Sequence, residues 1–195
     1  KTKFKSKKVT LLGSKKYKET KKTKIPSNSN CLVMPTGLEN ETLEFLELCN
    51  EYLKIEKKSL TKFIIRLHPL INKSKFIKKN HRLLNNEERI KISNSKLKED
   101  LLQCNFVLYK ASSAVVEAMQ LGLIPIFLFD LKNNFQSDAL WKLKSKPVIK
   151  NSNDLKKVLN NKFYFNKKKT MEFKKFSNDF YRPINNKVLK KIFVN

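Results

Sequence analysis

The strongest constraint in this chain is an alternation of short apolar runs with amphipathic segments of helical spacing. Cys31-Leu-Val-Met34 is followed by the breaker Pro35-Thr36-Gly37, and Glu39 to Lys57 then carries Leu43, Leu46, Cys49, Tyr52 and Leu53 on one face. Phe63-Ile-Ile-Arg-Leu67 ends at His68-Pro69, and Ile90-Lys-Ile92 is the next strand signal. Ser95 is placed to cap a helix through Leu97, Leu101 and Leu102, with Glu99 near its positive end. Phe106-Val-Leu-Tyr109 follows as a strand. Ala111-Ser112-Ser113 opens a helix that runs through Val115, Val116 and Met119 to Leu121, and Gly122 stops it. Ile124-Pro-Ile-Phe-Leu-Phe129 is almost wholly apolar, as a strand covered on both faces should be. Pro147-Val-Ile149 is a last short strand, Asn153 or Asp154 starts a helix with Leu155, Val158 and Leu159, and a final helix is centred on Val188, Leu189, Ile192 and Phe193. Strands alternating with helices over short connections predict an α/β fold: a Rossmann-like, open, mostly parallel sheet.

The stretch before this pattern differs in kind. Residues 1–8 are a lysine run, Val9-Thr-Leu-Leu12 is a short strand signal stopped by Gly13, and residues 14–30 are polar and end in Pro26-Ser-Asn-Ser-Asn30. We read residues 1–30 as a basic lead-in and linker, the remnant of a preceding domain, and residues 31–195 as one ligand-binding domain with C-terminal helices. The start at Lys1 fits a chain whose first half is missing.

The formal net charge of +26 invites a nucleic-acid reading. Composition opposes it. Only Arg66, Arg82, Arg89 and Arg182 are arginines among 43 basic residues, and bidentate phosphate or base contacts favour arginine. Lysine, asparagine, isoleucine and phenylalanine dominate, the bias of an AT-rich coding sequence. A field of this sign favours phosphate-bearing ligands, acidic glycans and peripheral contact with an anionic membrane. Cys31, Cys49 and Cys104 are widely spaced in apolar contexts, as buried free thiols of a reducing compartment would be, and no metal motif accompanies them. No apolar run approaches the ~20 residues of a spanning helix, so a cytoplasmic location is expected.

Ligands of open α/β sheets bind outside the carboxyl ends of the strands. That rule selects Thr36-Gly37, Arg66-His68-Pro69, Lys110 to Ser113, and Asp130 with its neighbours. Arg66 and His68 share a strand face, and Pro69 cuts the pairing and fixes the exit. His68 can donate to a phosphate or hydroxyl oxygen. Ser112 and Ser113 open a helix whose first turn has unpaired N–H groups and small side chains, a phosphate cradle without a glycine-rich loop. Glu117, one turn further, is placed to accept from ribose hydroxyls. Gly37 would permit positive φ and close approach of a ligand. No Walker, glycine-rich dinucleotide, nucleophile-elbow or paired-carboxylate motif competes with these residues.

Phe63-Ile-Ile-Arg-Leu-His-Pro69, with the run from Glu99 through Lys110-Ala-Ser-Ser-Ala-Val-Val-Glu-Ala-Met119 to Ile126, resembles the C-terminal domain of GT-B glycosyltransferases of surface-polysaccharide assembly. The His-Pro pair and the serine pair are similar to the HP and S motifs of bacterial sialyltransferases, Kdo-type capsule transferases and polymerases of the CDP-glycerol kind. The resemblance covers roughly residues 31–160. It implies a glycosyltransferase whose nucleotide-sugar donor, a CMP-sugar of the sialic acid or Kdo type, is held by His68, Ser112 and Ser113, with Glu117 on the ribose. It further implies a glycan or lipid-linked acceptor in capsule or lipopolysaccharide synthesis, no cofactor, no metal, and a catalytic base in the preceding domain. A UDP-sugar 2-epimerase of the same fold, a basic nucleic-acid-binding module, and a non-catalytic partner of a transferase stay open as alternatives.

Overall fold

The computed structural model describes residues 12–14, 30–85, 88–129, 137–161 and 166–193. Most of the 1–30 lead-in, the strand expected at Val9, and Asp130 lie outside the described residues.

Strands β1 (Cys31–Met34), β2 (Phe63–Ile65), β3 (Ile90–Ile92), β4 (Phe106–Tyr109), β5 (Ile124–Leu128) and β6 (Val148–Ile149) form a six-stranded sheet in the order β3-β2-β1-β4-β5-β6. All neighbours pair in parallel. The expected fold class is therefore the one observed. Helix α1 (Glu39–Ile55) joins β1 to β2, α2 (Lys73–Lys79) lies between β2 and β3, and α3 (Leu97–Leu102) between β3 and β4. Helix α4 (Val115–Gln120) joins β4 to β5, and α5 (Ser152–Asn160), α6 (Lys167–Phe180) and α7 (Asn186–Phe193) follow β6. From the centre of the sheet the chain moves outward in one direction through α1 and in the other through α4. Right-handed crossovers then place these two helices on opposite faces. Helix α1 packs on α5 and α4 on α6, so both faces are covered. That is why all residues of β1, β2, β4 and β5 are buried and why their sequences run apolar without alternation.

Pro125 inside β5 obeys the same hydrogen-bond logic. Ile124 N–H points to β4, bonding Asn105 O at 2.8 Å, while Phe127 N–H points the other way, to Pro147 O at 3.0 Å. The missing donor of Pro125 therefore faces the β6 side, before β6 begins to pair.

Helices differ from expectation where capping rather than apolar periodicity decides. Asn72 accepts from Lys75 N–H at 3.0 Å and starts α2, a helix with one buried residue, Phe76, and so little periodic signal. Helix α6 lies in a lysine-rich stretch with little apolar periodicity. It buries Phe173 and Ser177 against α4 and is capped by Asn166. Asn151, not Asn153 or Asp154, caps α5. The cap of α3 is Lys96, not Ser95, with Glu99 accepting the Lys96 N–H at 3.3 Å. Helix α4 is shorter than expected, because residues 111–114 form a turn instead of its first turn. Gly122 ends it with φ 84°, in the left-handed region glycine tolerates. All three cysteines are free and buried, and burial pushes the Cys104 thiol up to about 12.

Candidate functional site

The strand order reverses between β1 and β4, each of which sends its following helix to a different face. A crevice forms at such a switch point, outside the carboxyl ends of the two central strands. Met34 pairs with Tyr109, and Val33 pairs with both Ile65 and Leu108. Strands β1, β2 and β4 end at Met34, Ile65 and Tyr109, so the loops carrying Thr36, His68 and Ala111 all leave the carboxyl edge of the sheet.

On the β1–β2 side, Gly37 and His68 touch. A Cβ added at Gly37 would lie 3.2 Å from His68 Nδ1 and 3.1 Å from Leu70 Cδ1. Positive φ is not the reason for this glycine, contrary to the sequence reading, since only Gly13 and Gly122 among the described glycines have it. Close packing of the imidazole is the reason. His68 Nδ1 accepts the Leu70 N–H at 3.3 Å, in a turn closed by Ile71 N–H to His68 O at 2.9 Å. In the neutral ring the proton is therefore on Nε2, which leaves a donor at an exposed rim. Pro69 is exposed beside it and shapes the turn.

Thr36 commits both its donors within the chain. Its N–H reaches Glu41 Oε1 at 2.9 Å and its hydroxyl reaches Glu41 Oε2 at 2.7 Å. Glu41 and Glu39 occupy the first turn of α1, so the positive end of that helix is matched by the chain's own carboxylates. Glu41 was not singled out from sequence. The available signal was an acid in the first helical turn just after a Pro-Thr-Gly breaker.

On the β4 side, the N–H groups of Val115, Val116 and Glu117 bond the carbonyls of Ser112, Ser113 and Ala114 at 3.1–3.3 Å. The N–H groups of the observed first turn, residues 115–117, are thus engaged. The Ser112 and Ser113 hydroxyls have no partner among the described residues, with Ser112 half-buried and Ser113 exposed. Glu117 is half-buried in the first turn of α4. Lys110 Nζ is paired with Glu44 of α1 at 2.5 Å, tying the loop after β4 to the helix after β1.

Arg66 is held from below. Its Nη1 donates to Asp100 Oδ2 and to Ser95 O, both at 2.8 Å. Asp100 is buried and also accepts from Ser93 Oγ at 2.6 Å. Arg66 therefore fastens the end of β2 to the start of α3, while His68 and Pro69 project at the rim. A further polar cluster, Tyr109, Asp138 and Lys146, sits where β4 ends. No group of acids, histidines and cysteines capable of holding a metal occurs among the described residues. No described helix is long and apolar enough to cross a membrane.

No protein-family model matches the chain, and no curated protein matches it. Solved structures do. A putative UDP-N-acetylglucosamine 2-epimerase from Listeria monocytogenes aligns over 76% of this chain and 39% of its own length, with 19% identity and a TM-score of 0.51. The wall teichoic acid polymerase TagF, as a histidine-to-asparagine variant soaked with CDPG, aligns over 82% of this chain and 37% of its own, with 16% identity and a TM-score of 0.53. TarM aligns over 88% of this chain and 36% of its own, with 15% identity and a TM-score of 0.54. The likeness is one of fold: a Rossmann-like α/β domain with a six-stranded parallel sheet, shared with part of each of these structures. The chain spans less than two fifths of the length of these structures.

Proposed function

We propose that the chain is the donor-binding half of a nucleotide-sugar glycosyltransferase, with the nucleotide lying across the β1–β4 switch point. The observation that supports this reading is that His68, exposed and packed on Gly37, and the Ser112 and Ser113 hydroxyls follow the carboxyl ends of β2 and β4, on either side of β1, at the edge where such sheets take ligands. The likeness to TagF soaked with CDPG and to TarM supports a transferase of this kind.

In the proposed reaction this half holds the nucleotide phosphate as it departs from the sugar. His68 and the serines donate to the phosphate oxygens as negative charge builds on them, and Glu117 accepts from the ribose. Pre-organised donors of this sort contribute about 3 kcal/mol each to the transition state. The favoured donor is a CMP-sugar of the sialic acid or Kdo type, and the acceptor is a glycan or lipid-linked glycan used in surface polysaccharide synthesis. The enzyme would work at the cytoplasmic face of an anionic membrane, where its charge favours peripheral contact. A UDP-sugar 2-epimerase-like enzyme is the second reading, favoured by the likeness to the Listeria structure.

Calorimetric titration with CMP, CDP, UDP and GDP at moderate salt separates the two. Preference for CMP or CDP, weakened in His68→Ala and Ser113→Ala, is the result expected of the transferase. Preference for UDP supports the epimerase reading. Absence of any nucleotide binding contradicts both.

A further inference from the structure

Resting on the nucleotide-site reading above, we infer that Tyr109, Asp138 and Lys146 are positioning residues of that site, coupling the segment that returns from β5 to β6 to the end of the strand that carries the serine pair. Tyr109 is the last residue of β4, one residue before Lys110 and three before Ser112. Its hydroxyl donates to Asp138 Oδ1 at 2.9 Å. The other carboxylate oxygen of Asp138 lies 2.8 Å from Lys146 Nζ, and that lysine side chain is only 6% exposed. Lys146 Nζ also donates to Leu140 O at 3.1 Å and Leu143 O at 3.0 Å. All three protons of the ammonium thus have acceptors, and two of those acceptors are carbonyls of the segment's own turns.

A lysine is rarely buried to this degree unless its charge is matched, and here the match defines a shape. Asp138 Oδ1 also accepts the Leu140 N–H at 2.8 Å, so one carboxylate gathers a strand end, a turn and a buried cation. Aromatic packing continues the cluster: the Tyr109 and Phe127 rings are 5.6 Å apart, and Lys146 Nζ lies 5.8 Å from the Phe127 centroid. Burial, and then the neighbouring Asp138 charge, push the Tyr109 hydroxyl well above its ordinary value, so it stays a donor. None of these three groups is at the outer rim. Their effect on a ligand passes through the backbone of Lys110 to Ser113 and through the seating of residues 138–146.

The segment carries its own reporter. Trp141 is the chain's one tryptophan, is 62% exposed, and donates its backbone N–H to Asp138 O at 3.1 Å. Two readouts on the full chain therefore test the proposal: acrylamide quenching of Trp141 without ligand, and CMP affinity by calorimetry. Tyr109→Phe removes one hydroxyl and leaves the Asp138–Lys146 pair intact, so the variant is expected to fold. It should raise the Trp141 quenching constant and weaken CMP binding about fivefold, equivalent to about 1 kcal/mol. Lys146→Met should move both readouts in the same direction and further. A lower melting temperature in Tyr109→Phe with CMP affinity within twofold of wild type would overturn the positioning role and leave the nucleotide reading standing. Failure of the unmodified chain to bind CMP or any other nucleotide would overturn the nucleotide reading and this role with it.

Discussion

At the scale of single residues, the site is set by what each rim group has already given to the protein. Thr36 gives both donors to Glu41, Arg66 gives Nη1 to Asp100 and Ser95, and Lys110 gives its charge to Glu44, whereas His68 and Ser113 are exposed and Ser112 is half-buried. Gly37→Ala tests the closest of these contacts. The new methyl would sit 3.2 Å from His68 Nδ1, so the imidazole must shift by a few tenths of an ångström. A penalty of about 1 kcal/mol, roughly fivefold in nucleotide Kd, is expected with little change in melting temperature, since His68 is exposed and its shift leaves the core untouched. Arg66→Met should instead act on stability. It leaves buried Asp100 with the Ser93 hydroxyl but no cation, at a cost of about 2 kcal/mol after discounting for the partial exposure of Arg66, read as a lower urea midpoint at unchanged slope. The residues at the rim were legible because strand ends and a His-Pro break are written in local sequence. Glu41, Asp138 and Lys146 were not. A carboxylate's partner is a matter of three-dimensional placement, and one buried lysine among 43 basic residues carries no local mark.

At the scale of elements, the strands were readable and the polar helices were not. Six strand signals became six parallel strands, and in β1, β2, β4 and β5 both faces are buried, so continuous apolarity is a direct signal there. Helices α2 and α6 are hard to read from sequence because an asparagine cap and one buried aromatic each, Phe76 and Phe173, define them, a pattern weaker than the lysine bias around it. Ion pairs join several of these helices at the surface. Lys156 of α5 reaches Glu56 just past α1 at 2.6 Å, and Lys79 of α2 reaches Glu39 of α1 at 3.0 Å. Hydrogen bonding from these lysines holds both carboxyls below the ordinary 4.5. A carboxyl whose folded value is depressed stabilises the fold above its unfolded value, and that contribution is lost as pH falls through the folded value. Thermal midpoints should therefore be nearly flat from pH 7 to 5 and fall below pH 4.5, and Lys156→Met should make the fall shallower. A melting series in buffers of fixed ionic strength checks the sign.

At the scale of the whole molecule, the charge and the fold make separate statements. The net charge of +26 describes the surface and predicts attraction to anions of many kinds, with a steep loss of affinity as salt rises. The switch point predicts something local and less salt-dependent. Binding to a random RNA strand should therefore weaken by orders of magnitude between about 0.05 and 0.2 M salt, while CMP binding changes far less, a contrast that fluorescence anisotropy and calorimetry would reveal. The likeness to solved structures at under 20% identity is one of fold, and sequence periodicity implied the parallel sheet without giving the order of its strands. In the proposed site, nucleotide phosphate sits between His68 and the serine pair. Backbone amide NMR of the labelled chain, titrated with CMP at about 0.15 M salt, reads this placement. Saturable shifts centred on Gly37, His68, Ser112 and Ser113 are expected, with α2 and α7 unmoved. Shifts spread over the lysine-bearing surface, or centred away from the carboxyl ends of β1, β2 and β4, would rule the placement out.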